Sequence, residues 1–291
     1  MEICGKEVRL KGRLIRVAHL DGEGYQFLED PEIALAELRR SRVRADLFTF
    51  IQKLSETSPK YNYPMEWDSV AALPVSTFNE WTTHQVNKKV RNMVQKAEKS
   101  GVIVREVPFD DALVAGINAI YNETPVRQGK KFWNYGKDLA AVRSMNGTFL
   151  DRSIFLGAYF RDSLIGFVKL VANEEWSQAG LMQIISMIQH RDKAATNALI
   201  AQAVRSCADR AIRHLWYANF SYGKKQQDSL ADFKRRNGFQ KTDVPRYYVA
   251  LTVVGSIAFR LHLHRSATDW TPEPIAAAYR KIRSLWYEKT S

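Results

Sequence analysis

Apolar and polar positions change period several times along the chain, and each change marks an element. Val8 and Leu10, then Ile15 and Val17, alternate in steps of two and lead into Asp21-Gly22-Glu23-Gly24, which reads as a hairpin. Pro31 suits the first turn of a helix carrying Ile33, Leu35 and Leu38. Leu47, Phe50, Ile51 and Leu54 recur at helical spacing and predict a second helix over 45–54. Residues 58–64, with two prolines, are loop-like. Residues 70–75 read as a strand, with Pro74 confined to its end or to an edge. Val86, Val90, Met93, Val94 and Ala97 predict a helix over 82–99, stopped by Gly101. A short strand around Val102, Val104 and Val107 follows, then a helix over 112–121 capped by Asp110 or Asp111. Residues 122–153 form a loop-rich connector with one short helix over 138–145.

From 154 the pattern becomes that of a sheet. Residues 154–160 and 164–172, joined by polar Arg161-Asp162, predict a β-hairpin. A strand over 180–188, a helix over 194–212 and a strand over 215–220 come next. A short helix over 229–236, closed by Asn237-Gly238, precedes a strand over 247–254. Ile275, Tyr279, Ile282 and Trp286 share one face of a closing helix over 272–289. Antiparallel hairpins first and α/β crossovers after define a mixed α/β (α+β) chain.

Composition narrows the function. At 291 residues the chain suits two domains or one large one, and 45% hydrophobic with 25% charged residues excludes a disordered chain. Cys4 and Cys207 are the only cysteines, too few for a disulfide scaffold or a four-cysteine zinc site, and they suit a reducing, cytoplasmic setting. The first residues lack the apolar core of a signal peptide, and no apolar stretch nears the ~18 residues of a membrane span.

Charge adds a demand. The net charge of +12 calls for an acidic partner: nucleic acid, anionic lipid or a phosphate-bearing small molecule. Between Arg205 and Arg246 ten basic residues face four acidic ones. Lys88, Lys89, Arg91, Lys96 and Lys99 form a second cluster with Glu98 alone against it. Solvated helix faces and a polyanion site both fit these clusters. His262 and His264 alternate like a metal-binding pair, but no further cysteine or carboxylate cluster supports them, and no metal is expected.

The chemistry gathers where the strand over 180–188 runs through Gln189-His190-Arg191-Asp192-Lys193 into a helix. A basic loop opening a helix offers free backbone N–H groups and the positive end of the dipole, a cradle for phosphate. Arg191 and Lys193 add charge-assisted bonds. RDKAATNAL, residues 191–199, resembles the acyl-CoA loop of the GNAT acyltransferase superfamily, whose pattern is Arg/Gln-x-x-Gly-x-Gly/Ala. Arg191 matches, whereas Ala194 and Thr196 stand where the glycines belong. DSLADFKRRNGFQ, residues 228–240, is similar to the family segment in which a short helix ends in Gly-Phe. Lys234 replaces the Tyr that family members often use as general acid on the leaving thiolate. Phe233-Lys234 before Gly238-Phe239 resembles instead the Fem-type peptidyltransferase branch, which has a GNAT-like fold and moves an amino acid from aminoacyl-tRNA to an amine. Residues 87–106 are similar to a Fem-type stretch at Arg91, Val94, Lys96, Ala97, Lys99, Gly101 and Val102, with Gln95 in place of a basic residue.

The resemblance implies a GNAT-like fold: a central mixed sheet flanked by helices, divided as a reduced N-terminal GNAT-like domain (1–150), an acyltransferase domain (151–255) and a helical tail (256–291). It implies direct transfer of an acyl group to a small-molecule or peptide amine. Acyl-CoA is the expected donor, held by Ile188, Gln189, Arg191, Lys193, Ala194, Ala195, Thr196 and Asn197. Aminoacyl-tRNA is the alternative, which Lys234 and the charge suit better. A non-catalytic nucleic-acid-binding protein on a degenerate scaffold is the reading from another class. Oxyanion donors are expected from the backbone near 185–188. Lys234, Tyr217 and Ser186 are the catalytic candidates, with Gln183, Asn219 and Tyr222 near the cleft. Trp133, Tyr135 and Trp216 are candidate linings of an acceptor pocket, and Cys207 belongs to the core.

Overall fold

The computed structural model describes residues 1–41, 43–220 and 229–265. In chain order the elements are β1 (Glu2–Ile3), β2 (Lys6–Lys11), β3 (Val17–Leu20), α1 (Pro31–Arg40), β4 (Leu47–Ile51), β5 (Met65–Pro74), α2 (Phe78–Glu80), α3 (Lys88–Lys99), β6 (Ile103–Glu106), α4 (Asp111–Tyr121), β7 (Val126–Arg127), β8 (Lys130–Lys131) and α5 (Leu139–Asn146). Then follow β9 (Ser153–Phe160), β10 (Ser163–Ala172), β11 (Gln178–Ser186), α6 (Ala195–Asp209), β12 (His214–Asn219), α7 (Ser229–Arg236), β13 (Gln240–Ala250) and α8 (Val253–Arg260). The helix expected over 272–289, together with Tyr222, lies outside the described residues. No helix among the described residues is long and apolar enough to cross a membrane.

Eleven strands make one mixed sheet, in the order β1-β2-β3-β4-β13-β5-β12-β11-β10-β9-β6. Its parallel pairs are β3–β4 and β11–β12. The β9–β10 hairpin turns on Arg161 and Asp162, both at positive φ (48° and 64°), the twist that suits a two-residue connection. Ile154, Leu156 and Ala158 of β9 pack into a core with Leu199, Ala203 and Val204 of α6 and with Val90 and Ala97 of α3. Phe155, between them in sequence, packs into a second core with Leu113, Ile117 and Ile120 of α4. Helices thus bury both faces of this part of the sheet, which is why its strands are near-continuous apolar runs. A third core gathers Leu35 and Leu38 of α1 on Phe48, Phe50 and Tyr247.

The structure departs from the sequence pattern at several places. The helix expected over 45–54 is a strand: Leu47–Ile51 pairs with β3 and β13 and is buried throughout. A short apolar run buried on both faces has no period that separates strand from helix. The N-terminal hairpin turns around Gly12 (φ 95°), not at Asp21–Gly24. Gly24 packs instead on the Trp216 indole, where a Cβ would lie 3.0 Å from Nε1. The helix expected over 82–99 is broken at Val86, after a π turn over Trp81–Gln85. Asn87 caps α3 by accepting the Val90 N–H, and Arg91 donates to the Thr82 and Val86 carbonyls that the break leaves open. The last strand is longer than its apolar run and gives way to α8, capped by Thr252.

Lys169 in mid-β10 is fully buried. Its ammonium donates to the carbonyls of Asn146 and Thr148 and to Thr148 Oγ1. Burial holds its pKa down, at about 8 against 10.5 for a free lysine. Between those values the unfolded chain binds more protons, so this lysine's contribution to stability rises with pH. Denaturant melts of the native protein and of Lys169→Met are expected to diverge in the native chain's favour from pH 8 to 10. A difference that does not move with pH would contradict this.

Candidate active site between the parted strands

β11 and β12 run parallel but pair only over Gln178–Gly180 and His214–Trp216. Beyond Gly180, β11 continues to Ser186 with β10 as its paired neighbour. β12 bends away: Ala218 takes a left-handed φ of 48°, and the register with β5 slips between Trp216 and Asn219. Burial follows the parting, since Ala179 is fully buried while residues 182–187 are half-buried. The β10–β11 register also shifts between Lys169 and Leu170, leaving Met182 unpaired in a β-bulge. An opening results, onto which β11 turns an edge that no strand among the described residues covers.

One wall holds Lys234. Gly238 (φ 90°) ends α7, and the Phe239 N–H returns to the Lys234 carbonyl at 3.1 Å. Phe239 sinks into the core, as its place after the glycine suggests. The Trp81 indole donates to the Asn237 carbonyl at 3.0 Å, tying this turn to the π turn before α3. So held, the Lys234 side chain is fully buried. Its Nζ donates to the Asn219 carbonyl at 2.5 Å and stands 4.5 Å from the centre of the Tyr217 ring. The structure therefore brings Lys234, Tyr217 and Asn219 together where β12 departs. Ser186 belongs to the other wall, where its hydroxyl lies 2.8 Å from Thr196 Oγ1 and its carbonyl accepts from Arg127.

The loop after β11 carries the donor-site candidates. The N–H groups of Ile188 and Gln189 donate to the two carboxylate oxygens of Glu123, at 2.8 and 2.9 Å. Glu123 is paired with Arg127 at 2.8 Å, and Arg127 also donates to the Ile120 carbonyl. An internal carboxylate thus sits on the N–H pair that the loop was expected to turn toward a donor. Arg191 is exposed, while Lys193 pairs with Asp192 at 3.1 Å and lies 5.0 Å from the Phe160 ring centre. Ala194, at the first glycine position of the pattern, has φ 55°. That conformation costs a residue with a Cβ roughly 1–2 kcal/mol. Ala195 is buried, and the Asn197 N–H bonds back to the Ala194 carbonyl. No side chain caps α6, whose first turn begins directly after the Arg191–Lys193 turn.

Other candidates fall elsewhere. Trp216 is buried in a separate core cluster, and Trp133 is exposed with Lys137 over its ring. Burial pushes the Cys207 thiol up to about 12, the state of an inert core residue. Lys88, Lys89, Lys96 and Lys99 are exposed on α3, whereas Arg91 turns inward. Sequence reasoning missed Glu123 and Arg127. The signal available was a glutamate and an arginine four residues apart in the connector, a common pattern that does not point to a loop 65 residues away.

No family model matches the sequence, and no curated protein matches it. Solved structures do. FemX matches with a TM-score of 0.60 and 10% identity, over 88% of this chain and 86% of that one. The C-terminal domain of a lysylphosphatidylglycerol synthetase candidate from Agrobacterium fabrum matches at 0.55 and 10%, over 87% and 82%. L-PGS from Bacillus licheniformis matches at 0.54 and 11%, over 87% and 85%. The chain has a GNAT-like fold, the one it shares with these structures.

Proposed function

We propose that the protein is an acyltransferase that moves an aminoacyl group from an ester donor, aminoacyl-tRNA, to an amine. The observation that carries this reading is the buried Lys234 ammonium beside the parted strands. The ammonium is held where β12 departs from β11, a position that suits charge developing during a reaction. The neutral amine forms a C–N bond to the ester carbonyl carbon and the carbonyl oxygen becomes an oxyanion; this collapses as the C–O bond breaks, and the leaving alkoxide takes up the proton that the nitrogen gives up. The bulged, uncovered edge of β11 supplies N–H groups for the oxyanion. An alkoxide is a stronger base than a thiolate, so an ester donor depends more on a nearby cation or acid. Lys234 stands where thioester-using family members often carry Tyr. Glu123 on the Ile188 and Gln189 N–H groups disfavours a phosphate at that point. The exposed lysines of α3 suit a phosphodiester chain.

Acyl-CoA is a second reading, favoured by the uncapped start of α6 beside Arg191. Gel shifts with charged tRNA, run over a salt series, and calorimetry with CoA and acetyl-CoA separate the two. The expected result is tRNA binding that weakens steeply with salt and no heat from millimolar CoA. CoA binding that Arg191→Ala abolishes would establish the second reading. Binding of tRNA without transfer would favour a non-catalytic nucleic-acid-binding protein.

A further inference from the structure

After α8 the chain turns back and lays His262 and His264 against β5, where Glu66 meets them. His264 Nε2 lies 3.3 Å and His262 Nδ1 3.6 Å from the same carboxylate oxygen, Oε1. One ligand atom from each of the three residues lies within 4.8 Å of the other two. The His264 side chain is only 2% exposed, and among the described residues neither ring nitrogen meets hydrogen-bond geometry, Nε2 approaching Glu66 alone. Its approach to Glu66 is close but misaligned for a hydrogen bond. Phe259 stacks on the ring at 5.0 Å and 20°, and Tyr248 packs at 4.7 Å, so its orientation is held. Buried imidazole nitrogens without partners are costly, and this ring aims one of them at two further ligand atoms.

The surrounding charge points the same way. Arg246 is shared by Glu23 and Asp68, and Arg265 donates to Glu66. Three carboxylates thus gather with two guanidiniums here, and Glu66 is the one that also meets the histidines; Lys11 and Arg13 line the same cavity. Arg265 donates to Glu66 Oε1 at 2.6 and 3.1 Å. A group that hydrogen-bonds a ligating carboxylate in this way orients it from outside the coordination sphere.

We propose that Glu66, His262 and His264 bind a divalent transition-metal ion of the zinc class. Two imidazole nitrogens and one carboxylate oxygen are a donor set that selects such ions over magnesium or calcium. A fourth position would be left for water or a ligand, beside a cavity of about 730 Å³ that His264, Arg265, Tyr248 and Arg246 help to line. The ion would pin the segment after α8 to β5. This site stands apart from the proposed transfer reaction and does not depend on it.

The test is a titration of the chelator-treated full-length protein with Zn²⁺ against a chromophoric chelator, repeated with Co²⁺ to read coordination from its visible absorption. One tight equivalent and a tetrahedral Co²⁺ spectrum are expected. His264→Ala is expected to weaken binding at least tenfold, and His84→Ala, at a surface histidine, to leave it unchanged. Glu66→Gln keeps the side chain's shape and is expected to weaken binding as well, which covers a folding failure of the alanine variant. Absence of a tight equivalent, or equal affinity in the folded Glu66→Gln and His84→Ala variants, would overturn the proposal.

Discussion

Lys234→Met is expected to slow acyl transfer at least a hundredfold while leaving the chain folded. Methionine fills nearly the same volume, so the packing of α7 on the core around Phe239 survives. What disappears is the positive charge beside Tyr217 and the donor to the Asn219 carbonyl. Removing one preorganised electrostatic group from a desolvated site typically costs about 10²–10³ in rate. The orphaned carbonyl adds about 1–3 kcal/mol of instability, offset in part because no charge is then buried. Lys234→Arg keeps the charge on a broader, planar group that does not fit the same enclosed space, and partial activity is expected. Single-turnover rates and thermal melts of both variants check this. A folded Lys234→Met protein that transfers at the native rate would reduce Lys234 to a packing role.

The largest stability loss is expected from Arg246→Met. Arg246 on β13 donates twice to Glu23 at 2.7 Å, once to Asp68 at 2.7 Å and once to Thr49 Oγ1 at 3.2 Å. The two carboxylates raise its pKa further despite burial, so it stays charged at any pH the fold survives. It joins four parts of the chain: the loop after β3 and strands β4, β5 and β13. Without it, Glu23 and Asp68 face one another with no cation between them. Breaking a buried pair by removing one partner costs about 3–5 kcal/mol. At roughly 2–4 °C per kcal/mol for a large domain, the midpoint should fall by about 6–20 °C. Calorimetry and urea unfolding measure both quantities, and a loss below about 1 kcal/mol would contradict this account of the cluster.

What was legible in the sequence is what is decided locally. Asp110 caps its helix with its own side chain, within three residues. Arg161-Asp162 turns a hairpin, and Gly238 ends a helix, for reasons contained in a few φ values. Lys234 was legible because its place before Gly238 departs from a known pattern. The β4 strand was not, because its Leu-Phe-Thr-Phe-Ile run is buried on both faces and shows no alternation. The opening between the strands over 180–188 and 215–220 was legible only through the resemblance, because it depends on where β11 stops pairing with β12, across a helix and a turn. Glu123 reaches Ile188 and Gln189, and Glu66 reaches His262 and His264, only after the whole sheet has assembled. Such pairs leave no local period to read.

Transfer of a labelled amino acid from charged tRNA to a peptide bearing a free amine tests the central claim most directly. The account predicts that the label appears in the peptide, that native protein accelerates this and that Lys234→Met does so at least a hundredfold less. Label that stays on the tRNA, or leaves it only at the uncatalysed rate, would contradict the claim.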